Sequence, residues 1–310
     1  MKIHSYKPGM SIGEKTAVAL GYFDGVHAAH RRLLATAKQI AEKRGLVFTV
    51  FTFSSRIGVK ENSLIYSNDE KLTILESLGV EAVVLADFSD ISKISAESFV
   101  TDCLFCDMGC RVAVAGFDFR YGNGRAGNIS TLKDSLTALG AECIIEPEHT
   151  MDGEKISSSK IKELLSLGEV GRAKKFLGYP YQLVSEVEHG RGEGTKLGFP
   201  TVNTRLSPDR VMLRHGVYRT AVEISGELYT GITNIGTCPT FEAREAHAET
   251  YIIGYSGSLY GKKIRILFLG RLRDEKKFNS PQELIMQINI DKNTAIKENG
   301  ELRWQDFGQS

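Results

Sequence analysis

From Thr16 onward the chain alternates short, almost wholly apolar runs with stretches in which apolar residues recur every three or four positions. The apolar runs at 16–23, 46–53, 82–86, 111–116 and 142–145 predict β-strands. The periodic stretches at about 28–44, 69–78, 97–108 and 131–139 predict amphipathic helices between them. Local signals agree with the periods: Ser67 and Glu70 form a capping pair ahead of the second helix, and Gly140 stops the fourth. Strands this apolar along their whole length have no solvent-facing side, so they belong in a parallel sheet covered on both faces by helices. The pattern predicts a doubly wound, Rossmann-like domain.

Two short helices, 159–166 and 170–177, close that pattern, and Gly178-Tyr-Pro-Tyr181 reads as a break. Beyond residue 182 the texture changes. Short β-rich runs at 218–224, 228–234, 248–255 and 263–269, separated by Gly, Pro and Asn, predict an antiparallel barrel or sandwich. A final helix starts at Ser280-Pro281, with Ser as cap and Pro in its first turn, and runs through residue 288. A length of 310 residues suits two domains, which these patterns place at 1–181 and 182–310.

Composition narrows the functional classes. With 42% hydrophobic and 25% charged residues, and no apolar run near eighteen residues, the chain reads as a soluble globular protein. Residues 1–15 lack an apolar core behind a basic start, which predicts a cytoplasmic protein. Lys plus Arg (39) nearly cancels Asp plus Glu (38), so neither nucleic acid nor an anionic membrane is expected as partner, which leaves small anions open to local sites. Five cysteines without an export signal argue against a disulfide framework. Cys103, Cys106 and Cys110 are spaced as on one helical face, which predicts buried thiols rather than a zinc site.

Candidate chemistry begins where the first strand runs into Gly21-Tyr-Phe-Asp-Gly-Val-His-Ala-Ala-His30. There the chain turns from strand to helix at the carboxyl edge of the sheet, where ligands of such sheets bind. Gly21 and Gly25 let the backbone approach a phosphate, and the first helical N–H groups favour negative charge. His27 and His30, three apart, fall on one helical face. They are either two donors to one triphosphate or two surface histidines.

The string GYFDGVHAAH resembles the GxFDGVHxGH signature of the nucleotidyltransferase superfamily that carries an HxGH motif. Ile156-Ser-Ser-Ser-Lys-Ile-Lys162 resembles its partner motif, ISSTxIR. Gly116-Phe-Asp-Phe-Arg-Tyr-Gly122, followed by Gly124-Arg-Ala-Gly127, is similar to the GxDFxFGxxxxG segment of one member. That member is the FMN adenylyltransferase module of prokaryotic bifunctional riboflavin kinase/FAD synthetases. The resemblance implies in-line attack of the FMN phosphate on the α-phosphorus of ATP, with pyrophosphate leaving and catalysis by positioning and aimed donors. It implies that Gly21, Phe23, Asp24 and Gly25 line the nucleotide site. It implies also that His27, His30, Ser157, Ser158, Ser159 and Lys162 hold the triphosphate, and that Asp118 lies near the metal or the flavin phosphate. The chain departs from the pattern at Ala29 (Gly in the motif), Ser159 (Thr) and Lys162 (Arg), and Thr52-Phe-Ser-Ser-Arg-Ile57 stands where the family has TFxPHP.

A second candidate is Gly190-Arg-Gly-Glu-Gly-Thr-Lys-Leu-Gly198. A P-loop needs Gly directly before its Lys, and here Thr195 precedes Lys196; a dinucleotide fingerprint needs a following helix, and here Phe199-Pro200 follows. The loop is therefore either a backbone phosphate cradle or an ordinary hairpin. Leu197-Gly-Phe-Pro-Thr-Val-Asn203 resembles the GFPTAN motif of riboflavin kinases, and Gly216-Val-Tyr218, the string 234–241, Leu259-Tyr-Gly261, the string 272–278 and Asp291 agree with that family in order. The resemblance implies a six-stranded antiparallel barrel with a C-terminal helix. It implies magnesium on Thr201 and Asn203, ATP on Gly190, Gly192, Gly194, Lys196 and Gly198, and flavin near Asn234, Arg273 and Glu275. Glu249 would accept the proton of the riboflavin 5′-hydroxyl as it attacks the γ-phosphorus.

The leading reading is a magnesium-dependent enzyme that carries riboflavin to FMN in its second domain and FMN to FAD in its first. Ala29 and the altered 52–57 string favour an alternative, a kinase whose first domain is degenerate and structural or regulatory. A non-catalytic flavin-sensing or RNA-associated regulator is a third reading, and the intact Thr201, Asn203 and Glu249 weigh against it.

Overall fold

The computed structural model describes residues 1–54, 64–190, 194, 197–237 and 246–307. In its first part the apolar runs lie side by side as six parallel strands: β1 (Lys2–Ser5), β2 (Thr16–Leu20), β3 (Val47–Phe53), β4 (Ala82–Ala86), β5 (Cys110–Gly116) and β6 (Glu142–Glu146). Their order is β1-β4-β3-β2-β5-β6. All of the neighbours pair in parallel, the doubly wound arrangement the pattern predicts. From β2 the chain winds outward through β3 to β4, and from β5 it winds the other way to β6, so the order reverses between β2 and β5. Every residue of β2 is buried, which is why the run reads as continuously apolar. Phe51 of β3 meets Phe53, Phe99 and Tyr6 edge-on at 5.7, 5.5 and 6.4 Å, so truncating it to Ala would cost about 3–5 kcal/mol.

The covering helices are α1 (Ala28–Arg44), α2 (Asn68–Ser77), α3 (Phe88–Ile91), α4 (Ala96–Ser98) and α5 (Ile129–Ala138). α1 buries Leu33, Leu34, Ala37 and Ala41, and ends on Gly45, whose φ of 63° lets its N–H return to the Ala41 carbonyl. α4 runs on as a π-helical stretch, Phe99–Asp107, where the sequence predicts an ordinary helix. That corrects the cysteine reading. In the wider π turn Cys103 is buried and Cys106 exposed, while Cys110 is buried as the first residue of β5, so the three do not share a face. A hairpin of β7 (Thr150–Met151) and β8 (Glu154–Lys155) turns through Asp152 and Gly153, both with positive φ.

Contacts divide the chain between Ser157 and Ser158, with the stretch ending at Ser67 joining the second unit. The predicted break at 178–181 comes later in the chain, because α6 (Ser158–Ser166) packs on α7 (Val170–Leu177) and α7 packs on strands β9 (Tyr181–Glu188) and β14 (Lys263–Arg273). Between these strands lie β10 (Thr201–Arg205), β11 (Gly216–Ile224), β12 (Glu227–Thr237) and β13 (Ala246–Ile252). The six close into an antiparallel barrel of order β10-β13-β12-β11-β14-β9, which removes the free edges an open sheet would present. Buried hydroxyls of Thr220, Thr233 and Thr250 satisfy one another across β11, β12 and β13 at 3.0 and 2.9 Å. Helix α8 (Pro281–Asn299) starts as expected, with the Ser280 hydroxyl accepting the Glu283 N–H, and runs eleven residues past the expected end at 288. Among the described residues no helix is long and apolar enough to cross a membrane.

Candidate active sites, one in each unit

In the first unit, β2 delivers the chain into a turn that is strained by its own backbone. Phe23 (φ 54°), Gly25 (φ 80°) and Val26 (φ 38°) all take left-handed angles, and Phe23 and Val26 are fully buried. A β-branched residue adopts such an angle only where its surroundings impose it, and strain of this kind gathers at functional sites. A Cβ on Gly21 would lie 3.0 Å from the Phe23 ring, tighter than an ordinary contact.

His27 does not lie within the helix, as its spacing suggested, but caps it. Its Nδ1 accepts the His30 backbone N–H at 3.3 Å, which leaves the ring proton of the neutral form on Nε2. The two imidazoles stack with centroids 3.6 Å apart, and Phe23 meets His30 edge-on at 5.1 Å. The structure therefore brings the two histidines together by a different route from the predicted one. Burial lowers His27 to about 4. Burial, and then the charges of His27 and Lys71, hold His30 well below its ordinary value. Both rings are neutral at pH 7. His30 Nδ1 is buried without a hydrogen-bond partner among the described residues.

Asp24 is buried in the turn. Asp118 stands past the end of β5, exposed, and pairs with Lys155 of β8 at 2.9 Å, which raises the lysine. Lys155 also lies 4.6 Å over the Phe117 ring. Glycines of the 116–127 segment answer to packing: a Cβ on Gly127 would come within 2.5 Å of the Tyr121 ring, and one on Gly122 within 2.8 Å of Ala96. Ser157 ends the first unit, while Ser158, Ser159 and Lys162 lie in the first turns of α6, counted with the second. Lys71 of α2, which the sequence reading passed over, is buried in this site, with its Nζ donating to the Phe53 carbonyl at 2.9 Å.

In the second unit, strand register assembles the site. Glu249 on β13 faces Asn203 of β10 on one side and Asn234 of β12 on the other, so a carboxylate stands between two carboxamides on three adjacent strands. Thr201 sits two residues before Asn203, on the same face of β10. Gly190 and Gly194 lie against them. A Cβ on Gly190 would fall 2.0 Å from Asn203 Nδ2, and one on Gly194 would fall 2.4 Å from the Phe199 carbonyl and 3.2 Å from Thr201 Oγ1. Only bare backbone fits there. Gly198 takes φ 83° in the turn that follows, whereas Gly192 and Lys196 lie outside the described residues.

Glu249, Asn234, Thr201, Arg273 and Glu275 line one cavity of about 280 Å³. Its apolar walls include Leu197, Val217 and Ile232, and Phe199 crosses Tyr251 edge-on at 5.4 Å. Arg273 is clamped by buried Asp291 of α8, with Nε to Oδ1 and Oδ2 at 3.1 and 2.9 Å and Nη2 to Oδ2 at 2.7 Å. Gln287 holds the same carboxylate at 2.9 Å. A Cβ on Gly236 would fall 2.4 Å from Glu275 Oε1, so that carboxylate rests on bare backbone. An apolar slot with a few fixed polar groups suits a flat heteroaromatic ligand. An exposed carboxylate between two carboxamides, on the wall of that cavity, suits proton removal from a hydroxyl.

Comparison with known proteins agrees with this division. The family model for FAD synthetase matches residues 10–160, and that for riboflavin kinase matches residues 177–298. The bifunctional riboflavin kinase/FMN adenylyltransferase of Bacillus subtilis (strain 168) is 37% identical over 314 residues, covering 97% of this chain and 99% of its own length. That of Escherichia coli (strain K12) is 31% identical over 291 residues, covering 91% and 92%. A crystal structure from Streptococcus pneumoniae, described as a macrolide-efflux protein, matches with a TM-score of 0.87 at 30% identity, over 97% of this chain and all of that one.

Proposed function

The chain belongs to the bifunctional riboflavin kinase/FMN adenylyltransferase family, and we propose that its second unit phosphorylates riboflavin to FMN while its first unit adenylylates FMN to FAD. The observation that carries the kinase reading is Glu249 between Asn203 and Asn234, in a cavity where Asp291 fixes Arg273. Glu249 takes the proton of the riboflavin 5′-hydroxyl. The freed oxygen bonds to the γ-phosphorus of ATP, the bond from that phosphorus to the bridging oxygen breaks, and ADP leaves. Arg273 and Glu275 hold the flavin, with Asn234 beside them. The backbone of Gly190, Gly194 and Gly198, with Gly192 and Lys196, cradles the ATP phosphates.

Thr201 and Asn203 offer hard oxygen donors on one strand face, opposite a carboxylate, and so fit magnesium. Thr201 and Asn203 would hold the metal, and its charge would offset that of the ATP phosphate oxygens. In the first unit the FMN phosphate oxygen bonds to the α-phosphorus of ATP as the bond to pyrophosphate breaks. His27 and His30, neutral and stacked, act as hydrogen-bond donors to the phosphates rather than as charges. Ser157 adds a donor, and Asp118 lies near the flavin phosphate.

The presence of both family models weighs against a degenerate first unit. Incubation with riboflavin, ATP and magnesium, resolved over time by chromatography, tests the reading. FMN followed by FAD supports it; FMN alone reduces it to a kinase, and neither product removes the enzymatic reading.

A further inference from the structure

Lys71 is an unusual residue to find on the inner face of α2. Lysine on a helix ordinarily reaches solvent, because burying an ammonium costs more than a single pairing returns. Here the side chain is 5% exposed, and its near partners are a carbonyl, a hydroxyl and an aromatic face. Nζ donates to the Phe53 carbonyl at 2.9 Å and to Thr52 Oγ1 at 3.4 Å, and lies 5.5 Å from the centre of the Tyr22 ring. Thr52 Oγ1 in turn donates to the Tyr22 carbonyl at 2.9 Å. The chain of contacts therefore runs from α2 to the end of β3 and on to the first residues of the turn that presents His27 and His30. Thr52 and Phe53 keep the first two letters of the family's TFxPHP string, and positions 55–57, where the sequence departs from it, lie outside the described residues.

The geometry points to Lys71 as a positioning residue for adenylyl transfer, holding the 22–27 turn through Thr52 and Tyr22 and placing a fixed positive charge beside the two neutral imidazoles. This rests on the first unit being an adenylyltransferase. Two stacked neutral rings supply donors but no charge, whereas the triphosphate and the departing pyrophosphate are strongly anionic. Burial lowers Lys71 to about 8, with the charge of Asp24 pulling the other way, and the lysine's own charge is felt at His30 of α1. Glu70, the neighbouring buried carboxyl, lies on the same helix. The ammonium is thus present below about pH 8 and is lost above it.

The test follows FAD formation from FMN and magnesium ATP between pH 6.5 and 9.5 for the full chain, K71R and K71M, with FMN formation from riboflavin read on each protein as the internal control. Wild type should lose FAD formation as pH rises through about 8. K71R, always charged, should move that alkaline limb upward by about a unit or more. K71M should lower kcat/KM by about a hundredfold and abolish the limb, with FMN formation unchanged. A purely structural lysine would leave the limb where it is in K71R, and that outcome overturns the inference, as does K71M with wild-type kcat/KM. Wild type that makes no FAD at all overturns the reading of the first unit, and the inference with it.

Discussion

Removing the Asp291 carboxylate should loosen the barrel and its flavin cavity together. The side chains of Asp291 and Arg273 are 6% and 15% exposed, and three N–O contacts of 3.1 Å or less join them. In D291A the guanidinium keeps its desolvation and loses its counter-charge, and Gln287 loses its acceptor. Breaking a buried pair from one side costs about 3–5 kcal/mol; because Arg273 borders an open cavity that water can enter, about 3 kcal/mol is the better figure. With a urea slope of about 2 kcal/mol/M for a unit of this size, the midpoint should fall by about 1.5 M. The sole tryptophan, Trp304, donates to the Gly226 carbonyl in this unit at 3.1 Å, so its fluorescence reports the barrel's unfolding selectively. R273M should lose a similar amount, and D291A/R273M should lose less than the sum, leaving a coupling of about 1.5 kcal/mol or more. KM for riboflavin should rise in all three. A midpoint shift below about 0.3 M in D291A, or additive losses in the double variant, would refute the clamp.

Two further outcomes follow from the geometry. Because the folded-state value of His27 lies below its unfolded one, the folded protein resists protonation there; the stability this represents, on the order of 3 kcal/mol, is present above about pH 6.5 and lost as pH falls through about 4. Hydrogen exchange in α1 between pH 7 and 4 should record that loss, and H27N, which caps the helix without titrating, should flatten it. G190A would drive a methyl group to 2.0 Å from Asn203 Nδ2, so the loop must move off β10; kinase KM for ATP should rise about tenfold or more while FAD formation from FMN holds, and an unchanged KM would mean that the loop does not need its close approach.

Much of the fold was legible because burial writes itself into residue choice. β2 is buried at every position, and α1 shows its inner face at Leu33, Leu34, Ala37 and Ala41 and its stop at Gly45, so both could be read from the chain. β1 could not, because Lys2–Ser5 is a mostly exposed sheet-edge segment with no periodicity. β10 was missed as a strand for a related reason: Thr201–Arg205 spends its side chains on the site rather than on the core. The π-helical stretch gave no sign, since an inserted residue leaves the composition unchanged. Register explains the site's partial legibility. Glu249 and Asn203 could be chosen by motif, but only the pairing of β10, β13 and β12 sets them side by side. Lys71 was hidden because a lysine on a helix is read as solvent-facing, and only the packing of α2 shows otherwise. Of the predicted residues, Gly192 and Lys196 fall outside the described part, and with them Cys238 and the 239–241 string.

The central claim is that two separate sites on one chain perform consecutive phosphorus transfers, and E249Q tests it most directly. The substitution keeps the shape of the side chain and removes the proton acceptor between Asn203 and Asn234. Given riboflavin, magnesium and ATP, E249Q should form FMN about a hundredfold or more slowly than wild type. Given FMN and the same ATP, it should form FAD at the wild-type rate. FMN formation at the wild-type rate would remove Glu249 from the mechanism, and loss of both activities together would contradict the division of labour on which the account rests.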